Sequence, residues 1–147
     1  MLKKYTHLFM LLAAAFAFTS CNDSKEEASE EENKQVPDAK EASEHYIDEY
    51  TEHLNTGADI LNNIGDNKDV DSNLEALKAW VSDGNDLDDR MKEFDKNNKF
   101  SKAEADEIAK KYEPQITKAA TAYGAAMAKA TIGKNGAKVA DILKDMK

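Results

Sequence analysis

Between Ile47 and Ile64 the apolar positions Ile47, Tyr50, Leu54, Gly57, Leu61 and Ile64 recur at alternating steps of three and four. That spacing lays one stripe along a helix with a seam-like repeat. Pro37 and Asp38 suit its first turn, where proline's missing donor costs nothing and an acid favours the helix dipole. Gly65, Asp66 and Asn67 mark its end. Ser72-Asn73-Leu74-Glu75 has the form of a capping box and predicts a second start. Behind it run Leu74, Leu77, Trp80, Val81, Leu87, Met91 and Phe94. Ser82 to Asp86 reads as a turn in isolation, yet Gly84 falls on the stripe, so one unbroken helix is predicted. Ser101 to Glu104 forms a further capping box. Beyond it Ala105, Ala109, Tyr112, Ile116, Ala119, Tyr123, Ala126 and Ala130 keep the same alternation, with Pro114 facing away. Gly133 and Gly136 punctuate, and Val139, Ile142, Leu143 and Met146 make one last short amphipathic helix.

Short connections force consecutive long helices to run antiparallel, and no stretch alternates with period two as a strand would. The expected fold is therefore all-α: an antiparallel three-helix bundle with a short C-terminal amphipathic helix, over residues 37–147.

The front of the chain has a different pattern. Leu8 to Phe18 is an unbroken apolar run of eleven residues, where a spanning helix needs about 20. Lys3 and Lys4 precede it and the small residues Thr19 and Ser20 follow, the layout of a removable secretory signal. Cys21, the single cysteine, comes next. A lone cysteine in an exported chain has no internal disulfide partner. Phe18-Thr19-Ser20-Cys21 resembles the lipobox of bacterial lipoproteins, with an aromatic at a position that is usually aliphatic. The resemblance covers about the first 27 residues. It implies lipidation of Cys21, removal of residues 1–20, and attachment to a membrane of the cell envelope through the lipid. Asn22 after the cysteine, in place of the aspartate of inner-membrane retention, implies the outer membrane. Ser24-Lys25-Glu26-Glu27 resembles short surface-export tethers, which implies display at the cell surface.

Removing residues 1–20 leaves 127 of the 147 residues, and the loss of Lys3 and Lys4 takes the formal charge from −9 to −11. Residues 21–36 are polar and largely acidic, which predicts a disordered tether. So strong a negative charge argues against a nucleic-acid partner, which requires basic surface.

Candidate chemistry is sparse. His45, Glu49 and His53 stand on successive helical turns, a spacing from which imidazole and carboxylate can hold zinc or copper. Helical drift turns His45 away from the apolar stripe, so an exposed pair on a charged helix is the plainer reading. The segment from Asp95 to Glu104 resembles a calcium loop, with Asp95, Asn97 and Glu104 as ligands. It has ten residues where the loop needs about twelve, and Lys99 stands where a ligand should be. A polar turn followed by a capping box accounts for the same residues. Catalytic, haem and phosphate-loop patterns are absent from the sequence, so neither an enzyme nor a cofactor is expected. Two classes remain. One is a non-catalytic, lipid-anchored module that binds an envelope protein or serves a structural role. Its acidic face would lie around Asp48, Glu49, Glu52, Asp83, Asp86 and Asp89. The alternative is a metal-binding lipoprotein using His45, Glu49 and His53.

Overall fold

The computed structural model describes residues 38–146. Cys21, the signal segment and the tether lie outside the described residues. Four helices follow in order: α1 (Asp38–Gly65), α2 (Val70–Asn97), α3 (Lys102–Ile132) and α4 (Gly136–Leu143). Among the described residues there is no strand, and no helix is long and apolar enough to cross a membrane. The expected all-α bundle is the fold observed.

Connections of four residues reverse the chain at Asp66–Asp69 and Asn98–Ser101, so α1, α2 and α3 run up, down and up. The parallel sense of α1 and α3 shows in a ladder of polar pairs with one constant offset. Lys40 donates to Glu107 at 3.0 Å, Lys111 to Glu44 at 2.9 Å, and Gln115 to Asp48 at 2.9 Å, all 67 residues apart. Such exposed pairs are worth only about 0.2–1 kcal/mol each. They report the register more than they hold it.

The core is in two parts. Leu54, Leu61, Ile64, Leu74, Leu77, Trp80, Val81, Ala119, Tyr123, Ala126, Ala130 and Val139 close the end nearest α4. Ile47, Ile108, Tyr112 and Ile116 form a smaller group towards the other end. The alanine-rich half of α3 lets neighbours approach closely, and α4 uses that room. Val139 is fully buried, the Asn85 amide of α2 donates to the Asp145 carbonyl at 3.1 Å, and Met146 meets the Tyr123 hydroxyl of α3. Thus α4 lies against the first half of α2 and the second half of α3, touching both.

Helix α2 runs unbroken through Gly84, as the stripe predicts. Its start differs from expectation. The helix begins at Val70, and Asp69 precedes it in a left-handed conformation (φ 38°) without a side-chain cap. Ser72 therefore stands inside the first turn and makes no capping box with Glu75. The reason is a tighter connection than the sequence suggests, with Asn67 (φ 55°) and Asp69 both left-handed. The Asn73 amide closes it by donating to the carbonyls of Lys68 and Asp69, each at 3.1 Å. The second capping box is present as predicted: the Glu104 amide donates to Ser101 Oγ, and the Ser101 amide to the Glu104 carboxylate.

On α3 the buried stripe includes Ile108, which the alternation passed over, whereas Ala105 and Ala109 are only half-buried. Those two alanines line a small cavity shared with Met91 and Phe94 of α2. Pro114 is exposed, as its phase requires.

Candidate functional site

His45, Glu49 and His53 share α1 but are drawn to different partners. The Glu49 carboxylate is held in a two-pronged pair by Arg90 of α2, one bond being 3.1 Å. That guanidinium holds the Glu49 carboxyl below the usual carboxylate range, and Glu49 in turn raises Arg90. His45 is exposed. His53 lies flat on the Trp80 indole, with ring centroids 4.4 Å apart and planes 8° from parallel. The indole N–H donates to the His53 carbonyl at 2.8 Å. Among the described residues no three His, Cys, Asp or Glu side chains are grouped so as to hold a metal ion. The helical spacing is right for a ligand set, but Glu49 and His53 are each engaged by α2, and His45 is exposed.

Two glycines make this stack possible. A Cβ on Gly57 would stand 2.5 Å from Trp80 Cζ2, and one on Gly84 would stand 2.5 Å from His53 Nε2. Contacts that short are forbidden, so the glycines let α1 and α2 close around the two rings. Gly84 is on the stripe for this reason: its missing side chain leaves the seat for His53.

Burial lowers the His53 imidazole below its ordinary value of 6.5, opposed in part by the charges of Asp83 and Glu49. The folded state thus binds a proton less readily than the unfolded chain. Its stabilising contribution is present above about pH 6.5 and is lost as pH falls through the lower folded-state value. Urea midpoints measured at about pH 8 and about pH 5.5 should fall more for the wild type than for His53→Gln. Equal losses in the two proteins would show that His53 does not carry this dependence.

The calcium-like residues are also diverted. Glu104 is committed to the cap of α3, accepting from the Ser101 amide at 2.9 Å and hydroxyl at 2.6 Å. Asp95 and Asn97 are exposed at the end of α2. The polar turn with its capping box is what this segment forms.

The six acidic candidates do not share one open face. Asp48 accepts from Gln115 on the α3 side, and Glu49 is paired with Arg90 on the α2 side. Glu52, Asp83, Asp86 and Asp89 are exposed. Asp83 lies close enough to His53, and Asp86 to Arg90, to act on their charges.

One feature had no counterpart among the sequence candidates. At the end of the bundle away from α4, a small apolar cavity of about 60 Å³ opens between α2 and α3, with α1 as its floor. Tyr46 and Ile47 line the floor, Met91, Phe94 and Asp95 one wall, and Ala105, Ala109 and Tyr112 the other, with Phe100 at the end. Phe94 tilts against Tyr46 at 5.1 Å and against Phe100 at 6.2 Å. The legible signal was the stripe itself, which continues in phase through Ala105 and Ala109.

Comparison with known proteins adds no relative: no protein-family model, curated protein or solved structure matches this chain.

Proposed function

We propose that this chain is a lipoprotein of the cell envelope, anchored through Cys21, whose helical bundle binds another protein without catalysing a reaction. The observation that carries this reading is the run Leu8 to Glu27, where a short apolar core ends in small residues, a lone cysteine and an acidic segment. A cysteine in that setting gains a purpose only if it is consumed by lipid. The outer membrane, with the bundle on the outer surface, follows from Asn22 and from Ser24–Glu27. On this reading the acidic segment is the leash, and sixteen flexible residues reach roughly 20–25 Å.

What favours a protein partner over a metal is the commitment of Glu49 to Arg90 and the stacking of His53 on Trp80. An acidic surface on a leash speeds encounter with a basic partner and makes association fall with salt. Glu52, Asp83 and Asp86 remain exposed for that role. Capture of a partner from envelope extract should weaken when these three are changed to lysine, and weaken again as salt is raised. Partner capture indifferent to both changes would remove the acidic face from the account. Micromolar zinc or copper binding that vanishes in His45→Ala/His53→Ala would replace the protein partner with a metal.

A further inference from the structure

Charge is unevenly spread along this chain. The segment from Pro114 to Ala140 holds Lys118, Lys129, Lys134 and Lys138 and none of the 29 acids. Helix α3 turns much of that segment outward. Its buried stripe runs through Ile116, Ala119, Tyr123, Ala126 and Ala130, and helical phase puts Pro114, Thr117, Thr121, Ala125, Ala128 and Ile132 on the opposite side. All six are exposed and uncharged. Ile132 ends the row at 87% exposure, the one exposed large hydrophobic side chain among the described residues. Lys110 precedes the row in the same phase, Lys118 lies on its edge, and Lys134 and Lys138 follow it. These four lysines are exposed and no described residue pairs with them, whereas Lys129 is held by Asp66 at 2.5 Å.

Acids border this face without standing on it. Asp106 and Glu113 flank its start on the α2 side, Glu52 and Asp59 lie on α1, and Asp141 on α4 is engaged by Lys144. Glu107, in phase with the row just before Lys110, is engaged by Lys40. Asp83 and Asp86 belong to the other side of the bundle. They act on His53 and on Arg90, which joins Glu49, at the seam of α1 and α2. The core lies between that acidic seam and the acid-free face of α3.

A second copy of the chain is a poor occupant. From Pro114 to Ile132 the row is about 27 Å long and one side chain wide, short of the roughly 800 Å² that each partner buries in a stable interface. The row suits a flat anionic surface, and the start of the bundle says which. Residues 22–37 join Cys21 to Asp38, and Asp38 opens α1 beside the start of α3, where Lys40 reaches Glu107. A lipid on Cys21 therefore keeps the bundle within reach of a bilayer. Phosphate headgroups repel a chain of net charge −11, but across a screening length of about 8 Å only the nearest side is felt. The acid-free side is the one that approaches most favourably, because unpaired lysines are drawn to anionic lipid and an apolar side chain enters the interface. We propose that the outer face of α3 rests on anionic lipid headgroups, held by Lys110, Lys118, Lys134 and Lys138 with Ile132 in the interface. Asp83 and Asp86 then point away from the membrane. The inference rests on the lipid anchor proposed above and adds to it the orientation of the bundle.

The test uses the full mature lipoprotein in vesicles of phosphatidylcholine, alone or with about 30% phosphatidylglycerol. With Cys21 carrying the lipid, Ala128→Cys or Asp83→Cys supplies a single thiol for a fluorophore. On anionic vesicles acrylamide should quench the label in Ala128→Cys about threefold less than in Asp83→Cys, and salt at about 0.5 M should shrink that difference by roughly half or more. Exchanging Lys118, Lys134 and Lys138 for glutamate should abolish the difference and leave helical circular dichroism unchanged, since all three are exposed. Ile132→Ser should reduce the difference about twofold. Equal quenching of the two labels on anionic vesicles, or the same difference on zwitterionic ones, would overturn the orientation and leave the anchor in place. Shielding of the label in Ala128→Cys only after envelope extract is added would also overturn it and give the face to a protein. A chain that floats with neither kind of vesicle has no anchor, and the inference falls together with that reading.

Discussion

Trp80→Ala should destabilise the bundle by about 3–5 kcal/mol, the largest cost we expect from any single side chain. Trp80 is 4% exposed and touches all three long helices. It comes from α2, stacks on His53 and fills the gap over Gly57 on α1, and leans on Tyr123 of α3 at 5.4 Å. Truncation empties the space that two residues of α1 are shaped to frame, and rigid helices cannot collapse fully into it. Trp80→Phe separates packing from hydrogen bonding. It keeps a ring in the slot and loses the N–H donated to the His53 carbonyl, a difference of about 1 kcal/mol. Urea unfolding followed by helical circular dichroism checks both. A loss near zero for Trp80→Ala would mean that α1 and α2 are not joined around this ring.

The second large effect concerns attachment. Changing Cys21 to serine should move the protein from the membrane fraction to an unlipidated precursor that no longer labels with palmitate. Two or more acyl chains give lasting attachment where one is marginal, so the change should be close to all-or-none. No described helix offers another way to span a bilayer. Undiminished palmitate labelling of the serine variant would place the lipid elsewhere.

The helices were legible because each keeps its apolar residues three and four apart over many turns, a signal that local composition seldom imitates. Gly84 shows the strength of that phase: the surrounding Ser82–Asp86 looks like a turn, and the stripe still ran through it. The start of α2 was misread because Ser72 and Glu75 satisfy a local pattern, while the actual start depends on two left-handed residues, Asn67 and Asp69. The candidate ligands failed for a different reason. Glu49 and His53 sit where helical spacing says, but their partners Arg90 and Trp80 lie 41 and 27 residues away. Nothing in the spacing along α1 announces them. The small cavity beside Phe94 was hidden likewise, since a stripe shows that a helix has an apolar face and not whether a neighbour covers all of it. Ala105 and Ala109 continue the pattern perfectly and remain half-buried because α4 stops short of them.

The lipid anchor at Cys21 is the claim on which the account of location and presentation depends. Intact mass measurement of the protein extracted from the membrane fraction tests it most directly. The account predicts a chain that begins at Cys21 and carries the added mass of a diacylglyceryl group, with no free thiol. A chain that retains residues before Cys21, or one cleaved nearby with an unmodified cysteine, would contradict it.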